Sequence, residues 1–320
     1  MPFATCLHPL VARLTTMLTG DGRDLETLAD AAPHDWRDLL LSLSVIHDLH
    51  TAPLDRLGGG ERYQHHPAVA RLKWELEDAF LAEVTRRDQA ERWALPDGVA
   101  AAVRAIGVRG LVPDIYEWLA EAADADEIAE FLSIEGGPDG GFDDLVAACQ
   151  IGLDGAPKLE LARNYWDEMG NGSPARVHTE LHRKLTASLG LICPPREERP
   201  VAALERSVLS GVLATNRRLQ PEMLGALGLL ELQAGPRCRK VVAALERIGA
   251  GEEALDFYVE HATVDPRHGR DWVDNAIAPL EGDERWAGGI VRGARWGSTV
   301  NAGFFAAMGQ MFANRRREAC

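Results

Sequence analysis

The sequence is poor in the residues that small-site chemistry draws on first. Its five cysteines (Cys6, Cys149, Cys193, Cys238 and Cys320) are scattered, and no two form a C-x-x-C pair. An odd, unpatterned set excludes a disulfide framework and a thiolate-held zinc or iron–sulfur centre. Basic residues are also scarce: 34 Lys and Arg against 49 Asp and Glu leave a net charge of −15. That balance excludes a nucleic-acid or anionic-membrane surface, and the short run Arg315–Arg317 reads as a solvated tail. Alternating stretches rich in Val, Ile and Thr are almost missing, so no sheet is expected. The most apolar late segment, "GFFAAMGQMF", is half the length of a membrane span. The opening "MPFATCLHPLVARL" has neither a basic start nor a long apolar core. A reduced, soluble, cytoplasmic protein is expected.

Helical periodicity is what remains. It predicts helices over 35–50, 67–87, 112–134, 141–153, 157–169, 175–189, 200–216, 221–234, 236–248, 251–264, 267–280 and 285–314. Breaks are expected at "LGGGER", "EGGPDGG", "MGNGSP", "ICPPREERP", "QAGPR" and "IGAG". The fold class is therefore all-α, with short connections that favour antiparallel neighbours in a bundle. Residues 1–95 read as a helical N-terminal extension packed on a bundle formed by residues 96–320. The extension holds His47, His50, His65 and His66, but no carboxylate cluster accompanies them, and structural or surface roles are expected there.

A titratable residue on the buried stripe of a helix is the informative event in such a chain. Glu168 falls in line with Leu161 and Tyr165, while Glu160 and Asp167 share the opposite, polar face. Glu231 aligns with Leu224, Leu227 and Gly228, with no Lys or Arg within a turn. His178 aligns with Leu181 and Leu185, and His261 with Ala254, Phe257 and Tyr258. His261, Asp265 and His268 are four and then three residues apart, which puts all three on one helical face. A lone core carboxylate costs several kcal/mol unless it is paired, protonated or bound to a metal.

Together Glu168, His178, Glu231, His261, Asp265 and His268 offer three carboxylates and three imidazoles. Such a set suits two divalent first-row metals, iron or manganese before zinc. Other readings stay open on the residues alone. Asp265–Pro266 also fits the cap and first residue of a new helix. Glu231 could be hydrogen-bonded across the core, and His182 competes with His178. Ser173 and Pro174 read as cap and first residue of the helix that carries His178.

The pattern resembles the heme-oxygenase-like diiron oxidases, broadly described as iron-containing redox enzymes. Their closing motif His-x-x-x-Asp-x-x-His is matched by His261, Asp265 and His268. Their middle Glu is matched by Glu231 in "LLELQAGP", and their first Glu and His by Glu168 and His178 in "DEMGNGSPARVH". The likeness spans roughly residues 110–310. It implies about seven core helices around two Fe(II) ions held by these six residues, with Glu231 or Glu168 as the bridge and O2 as co-substrate. It implies oxidation of a small amine or amino acid, by N-oxygenation, desaturation or carbon–carbon cleavage, and leaves room for an electron donor and a homodimer. A further carboxylate is sought among Glu135, Asp143 and Asp144. The substrate pocket is expected against Tyr165, Phe257, Tyr258 and the helix over 293–312, with Arg163, Arg292 or Arg295 available for a carboxylate. The competing readings are a non-oxygenating desaturase or lyase on the same metals, and a metal-free helical interaction protein.

Overall fold

The structure, a computed structural model, describes residues 9–136 and 141–318. Among them there is no strand. The helices are α1 (Leu10–Thr19), α2 (Trp36–Thr51), α3 (Pro67–Ala90), α4 (Val99–Val108), α5 (Asp114–Glu121), α6 (Ala125–Glu135), α7 (Phe142–Cys149), α8 (Gly155–Glu168), α9 (His178–Leu189), α10 (Val201–Ala214), α11 (Gln220–Arg247), α12 (Glu252–Asp271) and α13 (Glu284–Glu318). Among the described residues no helix is long and apolar enough to cross a membrane.

The chain divides into two compact units, Met1–Glu91 with Pro195–Arg217, and Arg92–Pro194 with Arg218–Cys320. In the first, α10 packs on α2, so this unit is discontinuous in sequence. The Asp38 carboxylate of α2 accepts from the backbone N–H groups of Leu10 and Val11 at 2.8 and 2.9 Å. It thus satisfies donors that the start of α1 leaves open. His47 is buried beside Glu77, with Nε2 2.8 Å from Oε1. Lys73 Nζ reaches the same oxygen at 2.9 Å.

In the second unit α11 is the central helix, flanked by α12 and α13. The sequence predicts breaks at Pro236 and Pro266, and neither occurs: α11 and α12 run through them. Each interior proline removes one backbone hydrogen bond, a cost of about 3 kcal/mol. At Pro266 the freed carbonyl of Ala262 is recovered by Arg239 Nη1 of α11, 3.3 Å away. The burial that α11 and α12 gain from lying against each other offsets the remainder. Their approach is close enough that a Cβ at Gly269 would meet Glu231 O at 2.8 Å, and one at Gly235 would meet Pro266 Cδ at 2.8 Å.

Two other boundaries differ from expectation. The helix predicted over 112–134 is divided, because Asp124 and Glu127 form a reciprocal capping box that starts α6. The helix predicted from 175 begins at His178. Ser173 makes no cap bond, and Pro174–Arg176 is a separate 3-10 turn. After α12 the chain widens into a π-helical turn, Trp272–Ile277, with Trp272 fully buried and its Nε1 donating to Leu224 O at 3.1 Å.

Candidate metal centre

Four helices of the second unit bring the six singled-out residues together. Glu168 is the last residue of α8 and His178 the first of α9. Between them the chain turns through two short 3-10 segments with Asn171 in the left-handed region at φ 53°. The turn folds α9 back on α8, and His178 Nδ1 comes within 2.7 Å of Glu168 Oε2. Glu231 comes from the middle of α11; His261, Asp265 and His268 come from successive turns of α12.

Ligand atoms of Glu168, His178 and His261 lie within 4.8 Å of one another, and so do those of Glu168, Glu231 and His268. Glu168 belongs to both triads. Asp265 stands beside the second, its Oδ1 3.8 Å from His268 Nδ1. All except the partly exposed His261 are buried.

Hydrogen bonds around the rings leave lone pairs facing inward. The Nδ1–H of His261 donates to Phe257 O at 2.6 Å, which frees Nε2. His268 donates through Nε2 to Asp167 Oδ2 at 2.9 Å, which frees Nδ1. Asn164 Nδ2 donates to Glu231 Oε1 at 2.8 Å. Yet His178 Nδ1, His268 Nδ1 and Asp265 Oδ2 are buried without a hydrogen-bond partner. The close His178–Glu168 contact is not aligned as a hydrogen bond. Buried polar atoms left open cost about 1–3 kcal/mol each, and a cation at each triad would satisfy them. The residues therefore fit iron: imidazole and carboxylate donors without thiolate, with the His261 and His268 rings each oriented by a further group.

The electrostatics agree. Burial, reinforced by the charge of Glu168, pushes the Glu231 carboxyl up to about 8 against the hydrogen bond from Asn164. Burial and then Glu231 push Asp265 well above the carboxylate range. Burial and the neighbouring His178 lower His261 to about 4, so it stays the neutral ligand form. Asp167 goes the other way. Burial raises it, but the hydrogen bonds from His268 and Asn171 outweigh that, and it remains ionised.

A cavity of about 140 Å³ opens against Glu168, His178, Glu231, His261 and Asp265. Phe142, Leu230, Ala234 and Phe257 form its apolar wall, and Asp143 lies beside them. Of the three carboxylates considered upstream of Glu168, only Asp143 lines this space. Asp144 is exposed, and Glu135 accepts from Tyr116 O–H at 3.1 Å.

Most of the expected pocket wall lies elsewhere. Phe257 lines the cavity, but Tyr165, Tyr258 and the helix over 293–312 do not, because α13 packs on α11, α4 and α5. Arg163 pairs with Glu160 and Arg292 with Glu222, while Arg295 lies over the Trp93 ring. Asp167 and Asn164 were missed by the sequence reading. Asn164 had a signal, since it lies four residues before Glu168 on the same stripe. Asp167 had none, because its partner is on α12.

A model of the iron-containing redox enzyme family matches residues 130–302, more than half of the chain and all six of these residues. No curated protein matches the chain. Every potential ligand thus lies in the matched region, on the all-α framework expected for that family. The chain belongs to the iron-containing redox enzyme family and is an oxidoreductase that uses iron.

Proposed function

We propose that the protein is a cytoplasmic non-heme diiron oxidase or oxygenase that uses O2 to oxidise a small amine or amino acid in specialised metabolism. The observation that carries this reading is the membership of Glu168 in two ligand triads. One ion is assigned to Glu168, His178 and His261, the other to Glu168, Glu231 and His268 with Asp265 beside it. Bound Fe(II) supplies electrons and open coordination positions for O2.

The chain's own residues do the rest. Asp167 holds the proton of His268 on Nε2, and the Phe257 carbonyl holds that of His261 on Nδ1, so each ring presents a fixed lone pair. Leu230, Ala234, Phe142 and Phe257 keep bulk water from the carboxylates and shape the space beside them.

The test is anaerobic Fe(II) titration, then rapid mixing with O2 and a product screen under oxygen-18 gas. Two irons per chain, oxidation of both and label in the product are expected of an oxygenase. Label in water alone assigns the same centre to a desaturase or lyase. Failure of the native protein to bind iron specifically removes the proposal and leaves a metal-free polar network.

A further inference from the structure

The cavity beside the triads has a one-sided wall. Among the described residues, no Lys or Arg lines it. The three arginines expected to meet an acidic substrate, Arg163, Arg292 and Arg295, lie against Glu160, Glu222 and the Trp93 ring instead. The wall is apolar at Phe142, Leu230, Ala234 and Phe257, and carries one carboxylate outside the triads and their Asp265 neighbour, Asp143. Asp143 sits in the first turn of α7. Burial, followed by the charge of Asp144, raises its carboxyl. The same cavity receives Asp265, whose buried Oδ2 has no partner.

We propose that Asp143 is a specificity-determining residue that anchors the ammonium group of a small cationic amine, so that the cavity selects amines over carboxylate-bearing chains of equal length. This rests on the diiron reading above and narrows its substrate class. The physical reason is complementarity. Two divalent ions against Glu168, Glu231 and Asp265 leave one net positive charge, and Asp143 cancels it. An ammonium at half-buried Asp143 finds a hydrogen-bonding anion at the cavity, with the apolar wall for its alkyl chain. The wall also carries the His182 imidazole, edge-on against Phe257, but no Lys or Arg, so a substrate carboxylate finds no permanent cation on the protein and meets Asp143 as a like charge. A charge-assisted hydrogen bond of this kind gives discrimination of about tenfold or more.

The experiment is anaerobic calorimetry on Fe(II)-loaded protein with butylamine, 1-butanol and butyrate, in the native chain and in Asp143→Asn and Asp143→Glu, with bound iron measured in each. The expected result is butylamine bound about tenfold more tightly than butyrate in the native protein. In Asp143→Asn that advantage disappears, and in Asp143→Glu it returns in part, with two irons retained throughout. Equal binding of butylamine and butyrate by the iron-loaded native protein overturns the assignment. So does loss of an iron in Asp143→Asn, which would make Asp143 a metal ligand. A native chain that takes up no iron refutes the diiron reading itself, and this inference falls with it.

Discussion

Glu168 and His178 stand 2.7 Å apart at the two lips of a helix break, the carboxylate closing α8 and the imidazole opening α9. Both sit at the wrong end for an ordinary ion pair. A helix C-terminus disfavours an anion and an N-terminus disfavours an imidazolium. The arrangement suits a neutral imidazole and a carboxylate that share a cation. It follows that the variants should fall into two classes. Glu168→Ala is predicted to lose both irons, because both triads need it. His178→Ala and His261→Ala should lose the ion of the first triad, and His268→Ala that of the second. Fe(II) stoichiometry by anaerobic titration checks this. Retention of both irons by Glu168→Ala would refute the shared-ligand arrangement.

Asp167 touches no proposed metal position, yet it fixes the tautomer of His268. Asp167→Asn is expected to weaken iron binding by about 10–100-fold, the usual effect of losing such a partner, while the fold stays intact. Competition with a graded series of chelators, alongside circular dichroism, measures both. Unchanged affinity would show that His268 needs no orienting carboxylate.

The metal-free protein should lose stability as pH rises. Glu231 is raised from 4.5 to about 8 in the folded chain and Asp265 is raised as well, so the native state binds protons that the unfolded state has released. Stability then falls with increasing pH across that interval. His261, lowered from 6.5 to about 4, opposes this only below its unfolded value of 6.5. From pH 6.5 to 8 the carboxyls therefore act without it. Thermal unfolding of chelated protein should show a declining midpoint over that range, with a shallower decline in Glu231→Gln. Parallel slopes for the two proteins would remove Glu231 as the cause.

Gly269→Ala places a methyl 2.8 Å from the Glu231 carbonyl. Overpacking of this sort costs about 1–3 kcal/mol, and the shift of α12 away from α11 should also weaken the ion between Glu231 and His268. Urea unfolding and iron titration on one preparation test the two effects. A variant with native stability would mean that the helices can part without strain.

The apolar stripes made much of this legible. Glu231 on an otherwise apolar helix, and His261, Asp265 and His268 on one face of the next, were visible from offsets of three, four and seven. What the sequence hid was contact between elements. Asp167 reads as a polar-face residue until α12 is laid beside it, and Arg292 of α13 is taken up by Glu222 of α11, which no local pattern names. Pro236 and Pro266 misled for the same reason. Local rules make proline a stop, whereas the packing of α11 on α12 keeps both helices going.

The bond from Arg239 to the Ala262 carbonyl gives that packing a dynamic meaning. Helix α12 does not close its own ladder at Pro266; α11 closes it from outside. Opening one helix therefore unlatches the other, and the two should exchange their protected amides as one cooperative unit. That unit carries Glu231, His261, Asp265 and His268, so partial melting here dismantles four of the six potential ligands together.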